Sequence, residues 1–213
     1  MLHRSFISYA VPQERVRALI PVEFTLHDRT VLSIESFLDN GHTPFEQTNY
    51  RLHVSLDGQP CTWLLGTSLG SLSGVTARHF YALPWHLSAM ALQVAFDANS
   101  NQYKKYRLST QSQWASAEWE IVDTAVPMQA EIPLEIHDYF VRRDGQIGSY
   151  QTQHQNSFAT RGQLRSARCD WLQALGLLTA DELRQPMSVV LQRTVACEIK
   201  PAGLFRERTR LAC

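Results

Sequence analysis

The chain has 213 residues, 44% of them hydrophobic, and its twenty basic and twenty acidic side chains cancel to a formal net charge of zero. That balance lacks the basic footprint of a nucleic-acid binder or a polybasic membrane binder. Five Trp, seven Tyr and nine Phe supply enough apolar area for a core that needs neither disulfide nor metal staple, so a single domain over residues 1–203 is expected, with 204–213 as a solvated, frayed end.

In chain order, the N-terminal residues carry no long apolar run, and nowhere do 18 apolar residues follow one another. Residues 12–20 open with Pro12 and stop before Pro21, which predicts a short helix. From 31 to about 121 the pattern has period two. Strands are predicted near 31–38, 48–56, 61–69, 88–97, 102–109 and 112–121, with breaks at Asn40-Gly41, Asp57-Gly58, Ser73-Gly74 and 97–101. Asp57-Gly58 is the strongest break, because a two-residue type I′ hairpin needs positive φ at both central positions.

After Pro133 a helical stretch is expected at 134–138, then a hairpin of strands 139–143 and 147–154 joined through Asp144-Gly145. Cys169, Trp171, Leu172, Leu175, Leu178 and Leu183 recur at helical spacing, and Thr179-Ala180-Asp181-Glu182 has the form of a capping box. Residues 187–199 return to a β-branched run. Cys61, Cys169, Cys197 and Cys213 form no C-x-x-C pair and are expected to be free thiols in a reduced, cytoplasmic protein.

Gly66-Thr67-Ser68-Leu69-Gly70 has the spacing of a nucleophile elbow, but no apolar helix follows it, so a small-residue strand end is the better account of Ser68. The eight histidines show no metal-ligand spacing, and neither metal nor cofactor is expected. Lys104 and Lys105 are adjacent, and on a regular strand they would point to opposite faces. Asn49, Arg51 and His53 fall at i, i+2 and i+4 of a predicted strand and share one face, with Tyr50, Leu52 and Val54 on the other. That polar row faces either solvent or an enclosed lumen.

Four stretches, 11–21, 45–54, 77–86 and 150–154, resemble in order and spacing the YqjF-like branch of the acetoacetate decarboxylase-like superfamily, a domain of unknown function. The resemblance implies an α+β, mostly β fold: an antiparallel cone or barrel with short flanking helices and an interior pocket. It also implies a ligand site in which Asn49, Arg51, Arg78, Trp85 and His154 bind a small, carboxylate-like anion, with His86 and His53 as catalytic acid or base.

The decarboxylases form a Schiff base on a lysine that follows a proline. Here Pro84 is followed by Trp85, and an indole cannot make the imine. Gln47, beside Glu46, stands where those enzymes carry an active-site glutamate. The expectation is a small-molecule site in an enzyme that is not a Schiff-base decarboxylase, or alternatively a non-catalytic metabolite-binding or structural module. Uncovered sheet edges make a homodimer a possible assembly, which nothing in the sequence specifies.

Overall fold

Period-two alternation sends successive side chains to opposite faces of a sheet, and it governs most of this chain. The computed structural model describes residues 1–40, 43–72, 84–128, 134–143, 146–155 and 158–206. Its strands are β1 (Leu2–Pro12), β2 (Phe24–Thr25), β3 (Arg29–Asp39), β4 (Phe45–Leu56), β5 (Gln59–Leu69), β6 (Trp85–Leu87), β7 (Ala89–Asp97), β8 (Gln102–Gln111), β9 (Ala117–Met128), β10 (Leu134–Arg143), β11 (Gln146–Gln155), β12 (Ala159–Cys169), β13 (Ser188–Thr194) and β14 (Ala196–Arg206). The helices are short: α1 (Gln13–Val16), continued by a 3-10 turn at Arg17–Leu19, then α2 (Asp170–Ala174) and α3 (Ala180–Leu183).

The strands make one mixed sheet in the order β14-β11-β10-β5-β4-β3-β1-β13-β12-β9-β8-β7, with β2 added to β4 and β6 to β5. Strand β5 runs parallel to β10 and β6, while its pairing with β4 is antiparallel. The sheet curls back on itself. Tyr106 of β8 donates to the carbonyls of His3 at 2.9 Å and Ser36 at 3.3 Å, although four steps separate β8 from β1 along the sheet order.

The middle of the sheet is buried on both faces. On one, Ile7, Tyr9 and Val11 of β1, Leu32 and Ile34 of β3, and Tyr50, Leu52 and Val54 of β4 join Leu172, Leu177, Leu178 and Leu183 in the hydrophobic core. The helical segment is fastened over this face by Tyr9 Oη donating to the Leu183 carbonyl at 2.8 Å and by the Arg15–Glu182 ion pair at 2.8 Å. Thr179 and Glu182 form the predicted capping box. On the opposite face, Ser8, Ser33, Glu35, Arg51, Thr62 and Thr67 are equally withdrawn from solvent.

The β4–β5 hairpin turns as its sequence predicts, with φ of 50° at Asp57 and 77° at Gly58, the positive values of a type I′ turn. Several boundaries differ. The helix expected at 134–138 is instead the start of β10, paired with β11 from Leu134↔Gln155 onward, because tertiary ladder bonds override a weak local preference. The strand expected at 112–121 begins at Ala117, after a bend in which Ser112 Oγ takes the Ala115 amide at 2.9 Å. The run 187–199 is divided between β13 and β14, and Leu204–Arg206 belong to β14. Strands β1 and β12 were not anticipated. Residues 207–213 and the breaks at Ser73-Gly74 and Asp144-Gly145 lie outside the described residues.

Gly66 on β5 marks the tightest approach over the apolar face. A Cβ there would lie 2.3 Å from Cζ2 of Trp114, whose ring packs on Tyr50 at 5.6 Å and Trp171 at 4.6 Å. Gly66→Ala is expected to lower stability by about 1–3 kcal/mol, the usual range for overpacking a core. The check is a reduced urea midpoint with an unchanged m value.

Candidate functional site

The polar face of β1, β3 and β4 is organised around one carboxylate between two guanidinium groups. Strand register brings them together: Phe6 lies opposite Glu35 in the β1–β3 ladder, and Glu35 opposite Asn49 in the β3–β4 ladder. Arg4 Nε is 2.6 Å from Glu35 Oε1, and Arg51 Nη1 is 3.0 Å from Glu35 Oε2. All three are withdrawn from water, with 8%, 2% and 3% of Arg4, Glu35 and Arg51 exposed. Arg4 reaches its position through a β-bulge between Leu2 and Ser5, where His3 has φ of 52°.

Polar partners complete the network. Asn49 Nδ2 donates to Glu35 Oε2 at 3.0 Å, and Asn49 Oδ1 accepts from Gln47 Nε2 and Thr67 Oγ1, both at 2.9 Å. Arg4 Nη1 donates to Gln192 Oε1 at 2.8 Å. Arg51 Nη1 also donates to the Tyr139 hydroxyl, and Tyr139 is stacked on Tyr150 with centroids 5.2 Å apart. Both guanidinium groups lie over the Phe6 ring, Arg4 at 5.4 Å and Arg51 at 5.1 Å from its centroid, in cation–π range. His53 Nε2 is 3.0 Å from Ser33 Oγ, and its ring meets the edge of Phe6.

Burial pulls the Arg51 guanidinium toward neutrality, but Glu35 first, then Tyr139 and Tyr150, outweigh it, and the net direction is upward. Arg51 is therefore a fixed cation. Burial raises the Tyr139 hydroxyl, against the opposing pull of Arg51, so Tyr139 is a neutral hydrogen-bonding group at physiological pH. Two cations and one anion leave this enclosed cluster with one positive charge in excess among the described residues. Arg51 Nε and Nη2 are buried, with no hydrogen-bond partner among the described residues. These two nitrogens form the side edge of the guanidinium, where paired N–H groups match the two oxygens of a carboxylate.

Of the residues named from sequence, Asn49, Arg51 and His53 are brought together, and they face the enclosed side. Trp85 is registered with Thr67 in the parallel β5–β6 pair and His86 with Ser68, so adjacent residues go to opposite faces. His86 stacks on Trp114, with centroids 4.3 Å apart and planes 11° apart. It thus lies on the apolar side of the sheet, in an open groove with Leu87, Ser88, Gln111, Ser112 and Gln113. His154 sits on β11, paired with Glu135 and Cys197. Arg78 lies outside the described residues.

Sequence reading missed Arg4, Phe6 and Glu35. Period-two alternation of Ser33, Glu35 and Phe37 on one side of β3 was a usable signal for Glu35, whereas Arg4 depends on a bulge that no local pattern announces. Ser68 lies inside a continuous β5 strand, fully buried, so the Gly66–Gly70 segment forms no elbow. Lys104 and Lys105 are both exposed, because a bulge on β8 sets Ala95 opposite Lys105 and Phe96 opposite Tyr103 and breaks the alternation between them. Among the described residues no group of three or more His, Cys, Asp or Glu is placed to hold a metal ion, and no helix is long and apolar enough to cross a membrane.

Comparison with known proteins gives both a family and a fold. The profile of DUF2071, described as an uncharacterized conserved protein, matches residues 2–195. No curated protein sequence matches the chain. Among solved structures, an acetoacetate decarboxylase-like enzyme from Sphingomonas wittichii RW1 superposes with a TM-score of 0.62 at 8% identity, covering 96% of this chain and 89% of that one. An acetoacetate decarboxylase from Legionella pneumophila gives 0.61 at 11% identity, covering 100% and 87%. The enduracididine biosynthesis enzyme MppR, complexed with pyruvate, gives 0.59 at 10% identity, covering 93% and 85%. The chain therefore has the acetoacetate decarboxylase-like fold.

Glu35→Gln would strand both guanidinium groups without an internal counter-charge. It is expected to destabilise the protein by about 3–5 kcal/mol, as removal of one partner from a buried ion pair does. Denaturant titration provides the comparison, and a variant within about 1 kcal/mol of wild type would show that Glu35 does not neutralise the cluster.

Proposed function

We propose, for a chain that belongs to the DUF2071 family of uncharacterized conserved proteins, that the enclosed polar face holds a small carboxylate-bearing metabolite. The observation that carries this reading is the Arg51 side edge: two buried N–H donors without a partner among the described residues, on a cation in a cluster with net positive charge. A buried donor left unpaired costs about 1–3 kcal/mol, more when it is charged, and a bidentate carboxylate would satisfy both nitrogens and cancel the charge. MppR, of similar fold, has been solved with pyruvate, itself a small carboxylate.

The chain has three lysines, Lys104, Lys105 and Lys200. Lys104 Nζ is engaged with Gln102 and Asp97 at the surface, Lys105 is exposed, and the Lys200 side chain lies outside the described ones. Trp85 follows the proline where the decarboxylases place their nucleophile. The site is thus read as non-covalent, with Arg51 clamping the carboxylate, Asn49 and Tyr139 holding Arg51 and Glu35 in place, and Phe6 forming an apolar wall.

His53 supports a second reading. It packs on Phe6 in the same cluster, and an imidazole can exchange a proton with a bound acid, so the site admits acid–base chemistry on the ligand as well as simple retention. His86 has no part in it, being on the other side of the sheet.

The test is to titrate acetate, pyruvate and acetoacetate into the purified chain, reading thermal stability and heat, and to treat the pyruvate and acetoacetate samples with borohydride before mass spectrometry. At least one carboxylate is expected to raise Tm saturably, and Arg51→Lys to weaken its binding about tenfold or more, since an ammonium cannot reproduce the paired fork. No adduct mass is expected. A carboxylate series without effect on Tm would overturn the ligand class, and a borohydride-trapped lysine would overturn the non-covalent reading.

A further inference from the structure

The sheet order ends on two edges that differ in kind. Strand β14 carries Glu198, Lys200, Pro201 and Gly203, and its pairing with β11 slips by one residue at Ser149/Tyr150, where Tyr150 faces Pro201. Charges, proline and a bulge on an edge are the devices by which proteins prevent further strand addition. Strand β7 has no proline or bulge of its own, and its one charge is Asp97 at its very end. From Ala89 to Phe96 it is Ala-Met-Ala-Leu-Gln-Val-Ala-Phe, without charge, proline or glycine. Its bulge lies on the neighbouring strand β8, and β8 is its only ladder partner among the described residues.

We propose that β7 is a dimerisation edge, along which two copies of this chain pair antiparallel about a two-fold axis at Gln93. That register follows from the order of side chains. It sets Met90 opposite Phe96 and Leu92 opposite Val94 on the inner side, where all four are half-buried and packed against the core. On the exposed side it sets Ala91 opposite Ala95 and Gln93 opposite its own copy. Apolar groups meet apolar groups, small groups meet small ones, and no charge faces a like charge within the span from 90 to 96. The pairing is isologous and closes at two copies.

A second copy is favoured over another extended partner because the complementarity is internal to the strand. Each inner pair contains one aromatic or β-branched side chain, Phe96 or Val94, of the type that stabilises antiparallel neighbours, and the alanines let the outer surface stay flat. The new ladder would also cover the outward N–H and C=O groups of β7, which have no ladder partner among the described residues.

The test is sedimentation velocity on the full chain with Gln93→Glu as the variant. Gln93 is exposed and lies opposite Arg107 within the chain, so the new carboxylate gains a favourable neighbour at home while meeting its own copy across the axis. Wild type is expected to sediment as a dimer. Gln93→Glu is expected to raise the dimer dissociation constant about tenfold or more, as like charges brought face to face do, with partial recovery in high salt. Hydrogen exchange supplies an independent readout: alternate β7 amides, those directed away from β8, should lose protection on dilution while the β8 amides keep theirs. A monomeric wild type, a Gln93→Glu dimer of unchanged affinity, or concentration-independent β7 exchange would each overturn the proposal.

Discussion

Everything near the candidate site depends on one carboxylate, Glu35, being shared by two buried guanidinium groups. Taking three charges out of water is expensive, and the attraction between them offsets that cost only when geometry and hydrogen bonding are good. Here both Glu35 oxygens contact an arginine, and Asn49 adds a donor to one of them. Well-packed apolar residues of similar volume would often serve stability as well or better, so the triad is poor evidence for a stabilising device. It is better understood as the support of a fixed positive charge inside the fold.

That support explains why the sheet has two unlike buried faces. Helical leucines seal the apolar one, while the other is enclosed by the curl of the sheet, with β10 and β11 bringing Tyr139 and Tyr150 beside Arg51. The curl in turn needs irregularity. One bulge lies near the start of β1 and another between β4 and β5 at Tyr50/Arg51, each bending its strand and increasing the local twist. The same distortions that close the sheet therefore also aim Arg4 and Arg51 at Glu35.

Much of this was legible from sequence where a signal was local. The polar row of Asn49, Arg51 and His53 was evident from alternation, as were the Asp57-Gly58 turn and the Thr179–Glu182 cap. The face toward which the row points was not, because burial of a strand's polar side is decided by strands far away in sequence: Arg51 meets Tyr139 across 88 positions and Arg4 meets Gln192 across 188. Grouping Trp85 with His86 in one pocket had a different origin. The resemblance placed both near a family motif, whereas the period of a strand already separates neighbours to opposite faces. The segment 134–138 lacked strong alternation, and only its ladder with β11 makes it a strand.

The shared fold leaves open what the interior does, since one scaffold hosts many chemistries. In this chain the distinguishing property of the described interior is an excess of positive charge. An amine capable of imine formation must be both unprotonated and within reach of its carbonyl, and Lys104 and Lys105 are at the solvent face. An arginine pair with a single carboxylate has the complementary virtue: it stays cationic across the physiological range and presents rigid donors, which suits recognition of an anion. A carboxylate entering this site would not need to displace Glu35. The Arg51 nitrogen bound to Glu35 and Tyr139 is Nη1, whereas the unpaired ones are Nε and Nη2. On the proposed reading, internal neutralisation and recognition of the carboxylate use different edges of the same side chain, so the triad can remain intact whether the site is filled or empty.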